Sequence, residues 1–193
     1  MNVIEFDLKE LEKEHNGFSY YILGRSYDLE ENGVSENYKK ALEFYKKGVE
    51  IDYPLCLYAL GVSYEFGLGN TLKENKEKAN FYLTKAYPLI VELINKNSTS
   101  DIERLYAKFV LGAYFYFGLG NVKQDYNKAF KIIEYCAKNG HIAAIYDLGA
   151  NFYYNGVGIE KNIELAGYYL NIATSHNLKR AIELSNKRKN GKK

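Results

Sequence analysis

Proline, cysteine, tryptophan and net charge are all scarce in this sequence. Two prolines in 193 residues leave room for long helices, since each proline removes a backbone donor and clashes with the preceding turn. Two cysteines exclude a disulfide-stapled scaffold. A net charge of +2 lacks the strong basic excess of a nucleic-acid binder. The basic concentration at Lys179 to Lys193 reads as a solvated terminus. No stretch approaches the roughly 20 apolar residues of a membrane span. The opening M-N-V-I-E-F-D-L-K-E holds three acids and no apolar run, unlike a secretory signal. The expectation is a cytoplasmic chain that engages neither nucleic acid nor membrane.

Against these gaps stand 47% hydrophobic and 26% charged residues, an ordinary globular balance. A chain of this length buries roughly 70% of its unfolded surface and needs no metal or disulfide to hold it. Twenty tyrosines are the one compositional excess.

The organisation is repetitive. A Leu-Gly pair recurs at Leu23-Gly24, Leu60-Gly61, Leu111-Gly112 and Leu148-Gly149, followed three residues later by Tyr27, Tyr64, Phe115 and Phe152. A second block reads V-S-E-N-Y-K-K-A at 34–41, L-K-E-N-K-E-K-A at 72–79, V-K-Q-D-Y-N-K-A at 122–129 and I-E-K-N-I-E-L-A at 159–166. The glycine-to-alanine offset is 17, 18, 17 and 17, and successive glycines are 37, 51 and 37 apart. The unit is therefore a helix pair, A then B, with an insertion in the second copy.

Each block has a physical reading. The glycine lets helix B approach helix A, having no Cβ. Asn37, Asn75, Asp125 and Asn162 are predicted N-caps, their side-chain oxygens accepting from the free amides of the first turn. The turns G-L-G-N at 67–70, G-L-G-N at 118–121 and G-V-G-I at 156–159 follow helices, not strands, so they lack the setting of a phosphate loop. The first copy has only N-G-V, where Asn32 or Gly33 can take a positive φ.

The predicted helices are 7–15, 18–31 with 38–51, 54–66 with 76–94, 101–117 with 126–139, 142–155 with 163–175, and 178–189. Asp7 caps the first, and Asn16-Gly17 stops it. The insertion falls at about 87–101: helix B kinks at Pro88 and continues, N-K-N-S-T-S forms a loop, and Ser100 with Glu103 fits a capping box. It is either a longer hairpin or an extra wall for a partner.

Taken together, L-G-x-x-[YF], the GxG turn and the Asn/Asp-to-alanine block resemble the Sel1-like repeat, a relative of the tetratricopeptide repeat, over residues 18 to 177. The resemblance implies an all-α, α/α solenoid of about four helix-turn-helix repeats with helical caps at both ends. One continuous repeat domain is expected: a cap at 1–17, repeats at 18–53, 54–100, 101–141 and 142–177, and a cap with a basic tail at 178–193. It implies a non-enzymatic adaptor or regulator that binds a protein or peptide on the concave, helix-A side. A narrower version is a bacterial immunity protein that neutralises a toxin. By the same resemblance, positions three before and one and four after each glycine face inward: Tyr21, Arg25 and Asp28; Tyr58, Val62 and Glu65; Phe109, Ala113 and Tyr116; Tyr146, Ala150 and Tyr153. The other reading of this stripe is that tight curvature buries its rings between repeats.

A disulfide-rich branch of the family, with paired cysteines in each repeat, is associated with penicillin binding or hydrolysis. Here Cys56 stands where other copies carry Ser19, Ala107 and Ala144, and Cys136 lies near the small positions of helix B. Both read as core residues. His15, His141 and His176 fall near helix ends with no paired spacing. No catalytic, metal or cofactor site is expected.

Overall fold

The structure, a computed structural model, describes residues 2–190, with side chains described to 187. Met1 and 191–193, the tip of the basic tail, lie outside the described residues. The chain is all-helical and divides into two compact units: Glu5–Gln124, and Met1–Ile4 together with Asp125–Lys193. The boundary falls between the two helices that the sequence places in the third repeat.

The first unit holds α1 (Leu8–Glu14), α2 (Gly17–Leu29), α3 (Tyr38–Glu50), α4 (Pro54–Phe66), α5 (Lys76–Asn95) and α6 (Asp101–Phe117). Helix α2 pairs with α3 and α4 with α5. The predicted caps form: Asp7 accepts from the Lys9 amide, Asn37 from Lys40 and Asn75 from Lys78. Two boundary expectations need correction. Asn16 does not stop the first helix, which ends at Glu14 with His15 left-handed. It caps α2 instead, in a full capping box with Ser19. The box expected at Ser100 is half made. Ser100 Oγ accepts from the Glu103 amide, but the Glu103 carboxylate accepts from the Tyr53 hydroxyl at 2.6 Å.

Close approach explains the Leu-Gly glycines. A Cβ on Gly24 would lie 2.5 Å from the Tyr45 ring, and one on Gly61 would lie 2.8 Å from Leu83 Cγ and 3.2 Å from its backbone nitrogen. Above each glycine the helices close with parallel rings: Tyr27 on Phe44 at 6.1 Å and Tyr64 on Tyr82 at 5.9 Å. The second glycine of the GxG turn serves the contact between repeats. Gly69 meets the Tyr38 ring and Gly120 meets the Leu83–Thr84 backbone, whereas Gly33 in the first copy has open space. Helix α5 runs through Pro88 without ending.

The second unit holds α7 (Tyr126–Lys138), α8 (Ile142–Asp147), a π-helical stretch at Leu148–Tyr154, α9 (Ile163–Ser175) and α10 (Lys179–Asn190). Asp125 and Asn162 cap α7 and α9 as expected. The Ile4 amide donates to the Gly140 carbonyl at 3.0 Å. The expectation of one regular helix over 142–155 is corrected by the π stretch. Its cause is in the chain: Gly149 and Gly156 are seven apart, whereas Gly61 to Gly67 and Gly112 to Gly118 are six. The extra residue is absorbed as a π-bulge. Tyr153 therefore takes the place of Tyr27 and Tyr64. It stacks on Tyr169 at 5.7 Å, and its carbonyl accepts from Asn162 as those of Tyr27 and Tyr64 accept from Asn37 and Asn75.

Candidate partner-binding face

The stripe expected on the helix-A side divides into buried and accessible parts. At the first repeat it is closed. Tyr21 is buried against Tyr106, with centroids 6.3 Å apart. Arg25, also buried, lies 5.4 Å over the Phe109 ring, itself buried. Curvature brings α2 against α6 here, and these three side chains become interior. They shape the face from beneath and present nothing to a partner.

Polar chemistry fills the closed end. Arg25 Nε and Nη2 donate to the two carboxylate oxygens of Glu31, both at 2.9 Å, and both side chains are buried. Burial opposes the Arg25 charge, and Glu31 together with Tyr21 more than offsets it, holding the guanidinium above its ordinary pKa. The left-handed C-cap Glu30, at a φ of 53°, turns Glu31 back onto Arg25, and Asn32 and Gly33, also at positive φ, carry the chain away. The Tyr45 hydroxyl donates to Asp28 Oδ2 at 3.0 Å.

Asp28 titrates unusually. Burial pushes its carboxyl up to about 6, against the opposing pull of the Tyr45 hydroxyl and Arg25. Folding thus favours the protonated form. The stabilising contribution is full below the ordinary carboxylate range and is lost as pH rises through about 6. Asp28→Asn keeps an oxygen for Tyr45 and carries no charge to desolvate. It is expected to raise stability at pH 7.5 by about 1 kcal/mol, discounted for partial exposure. That is about 3 °C in Tm. The gain should fall to about half at pH 5 and vanish only below the ordinary carboxylate range, as thermal unfolding across pH would show.

The accessible part lies on α4 and α6. Tyr58, Val62 and Glu65 on α4 and Tyr116 on α6 are half-buried. Tyr58 packs against Tyr114 at 5.5 Å, and Glu65 pairs with Lys76 at 2.9 Å. One turn on, where sequence reasoning did not look, are two exposed rings. Phe66 is 54% and Phe117 52% exposed, with centroids 5.8 Å apart. Both stand five residues after the Leu-Gly glycine, directly before the GxG turn, in E-F-G-L-G-N and Y-F-G-L-G-N. That repetition was the available signal. Helical spacing puts Phe66 on the Tyr58–Val62 stripe. In the second unit, Tyr146 is half-buried with the Arg180 guanidinium 4.6 Å over its ring. Tyr153, rotated by the π-bulge, faces α9.

Cys56 is buried between Gly17 and Gly48, and its thiol is pushed up by burial, so it packs as a small apolar group. Among the described residues, no group of three or more His, Cys, Asp or Glu is placed to hold a metal ion. No helix among them is long and apolar enough to cross a membrane.

Comparison with known proteins gives four matches to the Sel1 repeat, at residues 17–52, 54–87, 105–141 and 142–178. The mouse protein called Protein sel-1 homolog 2 is 33% identical over 137 residues, 68% of this chain; the match spans only 19% of the mouse protein. A Sel1 repeat protein from Oxalobacter formigenes is 25% identical, with 86% of this chain and 61% of that one aligned at a TM-score of 0.45. The immunity protein Pa5087 from Pseudomonas aeruginosa is 17% identical, with 88% and 72% aligned at a TM-score of 0.43.

Proposed function

This chain belongs to the Sel1 repeat family, and we propose that it is a non-enzymatic adaptor or regulator holding a protein or peptide partner on the helix-A face of α4 and α6. Sel1 repeats are in general a protein–protein interaction scaffold. The observation that carries the specific reading is the exposed pair Phe66 and Phe117 beside Tyr58, Val62 and Tyr116. Large rings left in water on adjacent helices are costly unless something covers them, and aromatic side chains anchor interfaces out of proportion to their number. Tyr58 and Tyr116 add hydroxyls at the edge of the apolar patch, the mixture favoured at interfaces.

The partner segment would place apolar anchors over the Phe66–Phe117 rings. Tyr21 and Arg25 of the first repeat, with Phe109 of α6, support that surface as a rigid base. A cytoplasmic setting fits this reading, in which Cys56 and Cys136 are free thiols with no disulfide between them. The test is affinity capture with wild type and a Phe66→Ser/Phe117→Ser pair, in which partner retention should fall while the fold is kept.

A further inference from the structure

The insertion in the second repeat builds a surface of its own, away from the aromatic pair. Helices α5 and α6 have 20 and 17 residues, against 13 in α2, α3 and α4. The extra length lies at the C-terminal end of α5 and the N-terminal end of α6. The hairpin therefore projects about 10 Å and 6 Å farther than a regular one at 1.5 Å per residue. It is a stiff projection. Arg104 donates to the carbonyls of Ile94 and Thr99, each at 2.8 Å, and Thr99 Oγ1 donates to the Leu93 carbonyl at 2.9 Å.

Two clefts lie beneath it within the first unit. One, about 310 Å³, separates the hairpin from the α3–α4 turn, with Ile51, Leu89 and Leu93 supplying apolar lining. The other, about 550 Å³, runs toward α1 over Phe6 and Leu11. Both are bounded by Tyr53 and Glu103, whose hydrogen bond divides them. Ile51 and Ile102 are exposed at the rims, 58% and 42%.

The charge around these half-apolar clefts is one-sided. Glu14, Asp52, Glu92 and Glu103 line the clefts against Lys96 alone. Asp52 is paired with Lys85, which leaves three carboxylates facing one ammonium. We propose that these clefts form a second docking groove, and that it takes an extended segment of a partner protein in which aliphatic side chains alternate with lysine or arginine. An extended segment points successive side chains to opposite sides. Aliphatic groups would enter the clefts while basic ones meet the acidic rim. The same rim repels phosphate, so nucleic acid and anionic lipid are disfavoured occupants. The proposal does not depend on the helix-A face.

The test is amide NMR on the full chain, titrated with a blocked hexapeptide alternating leucine and lysine and with its leucine–glutamate counterpart. The lysine peptide should shift amides at 51–53 and 92–103, and the glutamate peptide should not. Glu92→Lys, on an exposed side chain, should weaken the lysine peptide about five-fold, as should added salt in the same direction. Glu103→Gln, which still accepts from Tyr53, should also weaken it. Equal response to both peptides, no response, or shifts confined to the residues around Phe66 and Phe117 would overturn the proposal.

Discussion

Glu31→Ala is expected to lower the unfolding free energy by about 3–5 kcal/mol, the cost of leaving a buried charge without its partner. Arg25 and Glu31 make two parallel hydrogen bonds of 2.9 Å inside the first unit, so the carboxylate is the counterion that lets the guanidinium stay buried. Its removal leaves Arg25 over the Phe109 ring with a cation–π contact of about 1–2 kcal/mol at best. Urea unfolding should show the loss, with Tm falling by about 10 °C. The pair is expected to matter more for its mutual satisfaction than for net stability. Arg25→Met/Glu31→Leu should therefore recover much of what Glu31→Ala loses. A loss below about 1 kcal/mol for Glu31→Ala would mean water reaches Arg25 and the site is not dry.

Gly61→Val is expected to cost about 3 kcal/mol, at the upper end for overpacking. Alanine's single carbon would already sit 2.8 Å from Leu83 Cγ and 3.2 Å from the Leu83 nitrogen. A side chain can swing away, but the α5 backbone cannot yield without parting the Tyr64–Tyr82 stack. Gly33→Ala is the useful contrast. It has open space around it, and its cost arises only from a φ of 78°, about 1 kcal/mol. Thermal unfolding of the two variants separates close approach from backbone conformation. Equal losses would contradict the packing account.

Much of the fold was legible because each repeat carries its own punctuation. The asparagine and aspartate caps are local chemistry, read three residues at a time, and all four predicted helix-B caps form. The π-bulge was also written in the chain, as seven residues between Gly149 and Gly156 instead of six. It was missed because the longer glycine-to-alanine offset is 17 in the fourth copy as in the first and third: the extra residue in helix A is cancelled by a shorter loop. The fate of Tyr21, Arg25 and Phe109 was not legible. Whether a helix-A residue is covered depends on how tightly α2 curves against α6, a relation between residues 84 positions apart for Arg25 and Phe109. Spacing within one helix does not encode it. Phe66 and Phe117 were missed for a simpler reason: a phenylalanine before a GxG turn reads as core, and only the packed structure leaves it in water.

The central claim, that the α4–α6 helix-A face holds a protein partner, is tested most directly by affinity capture from native lysate with three proteins. These are wild type, Phe66→Ser/Phe117→Ser, and Phe81→Ser, which removes an equally exposed ring from helix α5 (62% exposed). Matching circular dichroism and Tm establish that all three are folded. The account predicts a partner held by wild type and by Phe81→Ser, and reduced at least ten-fold with the double variant, about 1.4 kcal/mol or more of binding free energy. A partner held equally by all three proteins would contradict it.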